Sequence, residues 1–84
     1  MALWITDVEY SDIVVAKLNQ KHGCTIDDVF EALEGDHVSA RWDDDPDRGR
    51  RLLVRGRTRS GRVLRVVLYP IDLDAGTFRL ITAF

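Results

Sequence analysis

The stretch from Arg50 to Tyr69, RRLLVRGRTRSGRVLRVVLY, constrains the fold more than any other because its odd and even positions differ in kind. Leu52 and Val54 share one parity before a turn, and Leu64, Val66 and Leu68 share one after it, the period-two signature of strands with a single buried face. Arg51, Arg55, Arg57 and Arg65 occupy the other parity. A two-residue loop at Ser60-Gly61 would oppose Arg57 to Leu64 and Arg55 to Val66. That mixes the two faces, which a half-buried sheet resists. A three-residue loop, Arg59-Ser60-Gly61 with Gly61 in the left-handed region, instead pairs Val54 with Val66 and Leu52 with Leu68. It also sets Arg55 opposite Arg65, and like charges so opposed are mildly destabilising. The face reads either as solvated arginines that keep a sheet in water or as a surface shaped for an anionic partner.

The rest of the chain fits around such a hairpin. Its 84 residues make one domain, 1–84, with room for a single core. A hydrophobic content of 45% beside 31% charged residues excludes disorder as the reading. No stretch is long and apolar enough to span a bilayer, and no basic segment followed by an apolar run opens the chain, so a cytoplasmic location with no membrane partner is expected. Cys24, the one cysteine, cannot form an internal disulfide, which fits a reducing compartment. The net charge of −2 conceals a strong polarity. Up to Asp47 there are 12 acidic and 3 basic residues, a balance of −9, whereas from Arg48 onward there are 9 basic and 2 acidic, a balance of +7. Cations focused on one sheet face can bind nucleic acid even in an acidic protein.

Taken in order, Met1–Thr6 is a short apolar lead that could form an edge strand tucking Leu3 or Trp4 against the core. Asp7 or Ser11 caps a first helix that runs to about His22, with Val14, Val15 and Leu18 on one stripe and Gly23 as its left-handed stop. The β-branched run Ile13-Val14-Val15 forms helix poorly by itself, so this helix must rely on packing. Thr25 and Asp28 make a capping box for a second helix, Ile26–Glu34, whose Ile26, Val29, Phe30 and Leu33 face the core and which Gly35 ends. His37–Trp42 reads as a strand. Asp43–Gly49, broken by Pro46, reads as a loop. Its alternating aspartates imitate the start of a calcium loop, but Arg48 and Val54 stand where that loop needs glycine and glutamate, so a solvated turn is expected. After the hairpin, Pro70–Gly76 turns into a last strand, Thr77–Phe84; pairing Leu68 with Leu80 puts Phe78 in the core and Tyr69 opposite Arg79. The predicted architecture is α+β: two N-terminal helices on one face of a four-stranded antiparallel sheet, with a possible short N-terminal edge strand and the other face open.

That open face would carry Arg55, Arg57, Arg65, Tyr69 and Arg79, with Val67 and Ile81 between them. Arginine suits phosphate because its planar fork donates two parallel hydrogen bonds and stays charged at any working pH. RNA cleavage needs a base for the 2′-hydroxyl, cations for the developing charge and an acid for the leaving oxygen. His22, of the side-chain type most used in general acid–base catalysis, is the natural proton-transfer candidate. Lys21 and His22 also sit at a helix C-terminus, where cations are favoured without any catalysis. His37 reads as structural. Cys24 lacks partners for zinc, and no glycine-rich phosphate loop or nucleophile elbow is present. Neither a metal nor a cofactor is therefore expected.

Three segments have the order of a known family. Lys21-His22-Gly23-Cys24-Thr25 before an acidic helix resembles the KHGV-S/T-x-E-E segment of the BrnT toxins, a branch of the RelE-like ribonuclease superfamily. The GR-x-L-x-VV-x-Y pattern of Gly61–Tyr69 and the R-x-I-T-A of Arg79–Ala83 resemble later motifs, the second matching the family's R-I-I-S-A-R strand. A related group of small proteins with a similar ending is also similar. The family's tryptophan-aspartate and following lysine have no clear counterpart around Trp4–Val14, and Phe84 stands where its strand closes with arginine. The resemblance implies a RelE-like fold, a metal-independent endoribonuclease toxin and a small cognate antitoxin as partner. It sets Lys21, His22, Arg51 and Arg79 at positions matching family motifs. The expected site is therefore catalytic His22, Lys21, Arg79 and Tyr69 with RNA-binding Arg51, Arg55, Arg57 and Arg65. The competing expectation is a non-catalytic domain on the same fold that holds a protein or RNA on its outer sheet face.

Overall fold

The computed structural model describes residues 5–35 and 38–84. The chain is α+β, with a five-stranded sheet in the order β1-β5-β4-β3-β2, built from β1 (Asp7–Glu9), β2 (Ser39–Asp45), β3 (Gly49–Arg57), β4 (Val63–Asp72) and β5 (Thr77–Ala83). Helix α1 (Asp12–Lys17) continues as a π-helical turn, Leu18–His22, and α2 spans Ile26–Glu34. Neither helix is long and apolar enough to cross a membrane. Leu3, Trp4 and His37, singled out in the sequence, lie outside the described residues.

The hairpin has the register that alternation predicts. Leu52 pairs with Leu68, Val54 with Val66 and Arg55 with Arg65. The Thr58 amide donates to the Arg62 carbonyl at 2.9 Å, closing a loop of Arg59-Ser60-Gly61, and Gly61 has φ 91°. Only glycine reaches that region without a Cβ penalty. The loop tip is also held from below, because the Arg59 amide donates to Glu31 Oε1 at 2.8 Å.

One face of the sheet carries the core. Leu52 and Val54 on β3, Leu64, Val66 and Leu68 on β4, and Phe78, Leu80 and Ala83 on β5 are all buried, together with Leu18, Cys24, Val29 and Ala32 from the helical side. Helix α2 lies across β3 and β4, and α1 lies on β5. The capping box of α2 is complete: Thr25 Oγ1 accepts from the Asp28 amide at 3.1 Å, and Asp28 accepts from the Thr25 amide at 3.0 Å. Ser11, not Asp7, caps α1, accepting from the Val14 amide at 3.2 Å. The β-branched helix depends on packing as its composition requires. Val14 packs against the core and Leu18 is fully buried, while Ile13 is 68% exposed. Its end is widened into a π turn that Gly23, at φ 60°, closes with its amide on Leu18 O. Arg62 then donates to the carbonyls of His22 at 2.7 Å and Gly23 at 3.1 Å, which satisfies acceptors that a helix end leaves free.

The sheet corrects the predicted four-stranded antiparallel arrangement in four places, one being that Pro70–Asp72 belongs to β4 and only Leu73–Gly76 turns. A fifth strand, β1, lies parallel to β5 with Val8 opposite Phe78, so the sheet is mixed and its N-terminal edge is Asp7–Glu9, downstream of Met1–Thr6. The chain entering it is fixed by Thr6, whose hydroxyl donates to the Ala75 carbonyl and whose amide donates to the Gly76 carbonyl at 2.9 Å. Next, Asp43–Asp45 belongs to β2 and only Pro46–Arg48 turns. Three consecutive acids form strand poorly alone, but Asp43 faces Arg51 and Asp44 faces Arg50 across the ladder. Last, a β-bulge leaves Ile81 without a partner, so that Thr82, opposite Val67, takes the outer position predicted for Ile81.

Trp42 on β2 and Phe78 on β5 bring their ring centroids within 6.4 Å on the core face. Three strand spacings in a flat sheet would span roughly 14 Å. Twist and side-chain reach close that gap over Leu52 and Leu68.

Candidate nucleic-acid interface

The registers arrange the outer face in rows across the strands. In the first row Asp43 faces Arg51, Tyr69 faces Arg79, and Arg79 faces Glu9. Arg51 Nε donates to Asp43 at 2.8 Å and its Nη1 reaches Asp45 at 3.5 Å, while Arg79 lies 3.9 Å from Glu9. The hydrogen bond that Arg51 donates to Asp43 raises the Arg51 pKa above its ordinary range, aided by the charges of Asp43 and Asp45 and opposed by partial burial. Edge-strand acids thus offset the two arginines of this row, Asp43 closely at Arg51 and Glu9 loosely at the exposed Arg79.

The next rows differ. Arg41 faces Leu53, Leu53 faces Val67 and Val67 faces Thr82; beyond them, Ser39 faces Arg55 and Arg55 faces Arg65. Arg65 and Phe84 exchange two backbone hydrogen bonds of 2.8 Å, which extends the last row to the phenyl ring. Among the described residues no acidic side chain pairs with Arg41, Arg55, Arg57 or Arg65. Arg41, Leu53, Arg55, Arg65, Val67 and Phe84 line a shallow groove of about 520 Å³. Cationic walls around an apolar floor suit a chain of phosphates bearing flat bases.

The expected site residues fall into separate places. Tyr69 and Arg79 stand opposite each other in the first row, beside Arg51. Arg55 and Arg65 form the cationic row, and Arg57 continues the face at the hairpin end, opposite Val63. His22 is half-buried on the π turn with its ring 6.1 Å from that of Phe84, and Lys21 beside it is exposed. Phe84 lies five positions along β5 from Arg79, roughly 15 Å at strand spacing, so His22 and the Tyr69–Arg79 pair sit toward opposite ends of that strand. Three of these groove residues were not expected from the sequence; Leu53 was legible from its parity with Arg51 and Arg55. Arg41 was legible from the alternation around Trp42. Phe84 was hidden by the bulge at Ile81, which changes the parity of everything after it.

At the border of the face, Asp45 has its pKa lowered from the ordinary 3.8, first by the hydrogen bond from the Asp47 amide, then by the Arg48 amide and the charge of Arg51, with partial burial opposing. A folded pKa below the unfolded one contributes stability above about pH 4, lost as pH falls through the folded value. Protection of the Asp47 amide against hydrogen exchange, relative to its intrinsic rate, should therefore fall in that acid range ahead of that of the core amides. Asp45→Asn should flatten this dependence.

Comparison of the sequence with protein-family models and with curated proteins finds no match.

Proposed function

We propose that the open sheet face binds single-stranded RNA. The observation that carries this reading is the row Arg55–Arg65–Phe84, two opposed arginines for which the described residues supply no acidic partner and an exposed ring at their end, beside the apolar strip of Leu53 and Val67. Opposed like charges are tolerated where a polyanion takes up both, and a phenyl ring offers any base a stacking surface. The test is binding of a short fluorescent RNA across a salt series. Removing Arg55 and Arg65 together by alanine substitution should weaken binding and reduce the slope of log K against log salt by roughly 1.4, or about 0.7 per lost phosphate contact. Thermal stability should change little, because both side chains are exposed. An unchanged slope, or a collapse of the fold, would remove these arginines from the proposal.

A cleaving form of the same reading rests on Tyr69 opposite Arg79, a phenol beside a cation, together with the resemblance to BrnT-like toxins. In that form the protein acts on cytoplasmic RNA and is neutralised by a small antitoxin. Tyr69 and Arg79 then contact the scissile region, and His22 or Lys21 binds a more distant phosphate at the Phe84 end. Induced expression in bacteria separates the two forms: arrested growth with cleaved RNA supports cleavage, while intact growth and RNA leave binding alone.

A further inference from the structure

β2 borders the sheet, and among the described residues no strand pairs with its outer edge. Ser39, Ala40 and Arg41 are exposed there. A strand of this length at an open edge presents unpaired N–H and C=O groups that can template another strand, and edge charges decide which strand is accepted. Here those charges are of both signs. Arg41 and Asp43 lie two residues apart on the outer face, either side of Trp42.

Consider two copies of β2 running antiparallel about a two-fold axis normal to the sheet. Opposed residues keep the same face, so only registers that match positions of like parity are allowed. With Trp42 on the axis, Arg41 meets Asp43 of the second copy twice, Ser39 meets Asp45 and Ala40 meets Asp44; no like charges are opposed. The next allowed register on one side opposes Arg41 to itself, and on the other opposes Asp43 to itself. The strand is therefore charge-complementary to itself in one central register. Asp43 has capacity for it: its side chain keeps 32% of its exposure while accepting from Arg51, and a carboxylate has about four acceptor sites. Trp42 is half-buried on the core face, between Phe78 and the Arg50 guanidinium 4.5 Å from its ring. Reciprocal ion pairs on the outer face suit a small isologous interface.

We propose that β2 pairs antiparallel with β2 of a second copy of this chain, with Trp42 on the two-fold axis and reciprocal Arg41–Asp43 ion pairs, joining the two sheets into one. The axis keeps both outer faces on the same side. Since Ser39, Ala40 and Arg41 form the β2 border of the groove, the two grooves adjoin across the axis. The pairing does not depend on RNA binding. One strand pair buries a modest area, so the dimer is reversible and concentration-dependent.

Sedimentation equilibrium from micromolar to millimolar protein tests the proposal, with circular dichroism melts to confirm that each variant folds. Wild type should show a monomer–dimer equilibrium. Arg41→Glu opposes acid to acid and Asp43→Arg opposes base to base, and each should weaken self-association roughly tenfold or more. An equimolar mixture of the two variants should recover a mixed dimer, because every opposed pair in it is again of opposite sign. Arg41→Glu changes an exposed side chain and keeps the test readable if loss of the Arg51 partner unfolds Asp43→Arg. A wild type that stays monomeric throughout, a dimer unaffected by Arg41→Glu, or folded variants that fail to recover when mixed would each overturn the proposal.

Discussion

Gly56→Ala should destabilise the fold by about 3 kcal/mol, near the upper end of what overpacking a core costs. Gly56 lies on the buried face of β3 opposite Leu64, where the C-terminal half of α2 comes down onto the sheet. A methyl group there would run into the Ala32 carbonyl oxygen, with the carbonyl carbon 2.8 Å away and the Ala32 Cα at 3.2 Å. These are backbone atoms in the last turns of a helix, so no rotamer change relieves the clash. The whole of α2 would have to move off β3. Urea unfolding followed by circular dichroism measures the loss, and a change below about 1 kcal/mol would mean that α2 shifts easily. Arg55 and Arg57 flank Gly56 but point to the other face, so RNA binding by the fraction still folded should be retained.

Phe78→Ala should cost about 4 kcal/mol, within the range for emptying a fully buried aromatic site. Phe78 is 1% exposed, lies opposite Val8 on one side and Pro70 on the other, and packs its ring on Trp42. It is therefore a residue at which β1, β4, β5 and Trp42 of β2 meet. A domain of this size has roughly 5–15 kcal/mol of total stability, so the variant should be close to unfolding at moderate temperature. Phe78→Leu should lose clearly less. If the alanine variant lost under about 2 kcal/mol, Trp42 would have to be collapsing into the space, and its fluorescence would report the move.

How far the fold was legible follows from the range over which each determinant acts. The hairpin register was readable because period-two alternation fixes which residues share a face, and Gly61 fixes where the chain can reverse. Helix α2 was readable because Thr25 and Asp28 close their hydrogen bonds within one turn. The extent of β2 was not, since an acid-rich segment reads as a loop until Arg50 and Arg51 are known to lie across from it. Nor was Phe84 in the groove, because nothing near Ile81 announces a bulge that the mismatch between β4 and β5 imposes. The open face itself, with Arg55 and Arg65 opposed and Tyr69 opposite Arg79, was legible in the same alternation.

By itself the sequence determined the two-faced hairpin, the capped acidic helix and the cationic outer face, all of which follow from neighbours within a few residues or from simple parity. Only the tertiary structure decided that β1 joins parallel to a strand about seventy residues on, that Arg51 and Arg79 face edge acids while, among the described residues, Arg55 and Arg65 do not, and that His22 comes to rest beside Phe84. The physical reason is common to all three. Parallel pairing, charge neutralisation across strands and the packing of a helix end against a distant strand depend on contacts between segments far apart in the chain, and no local period records them.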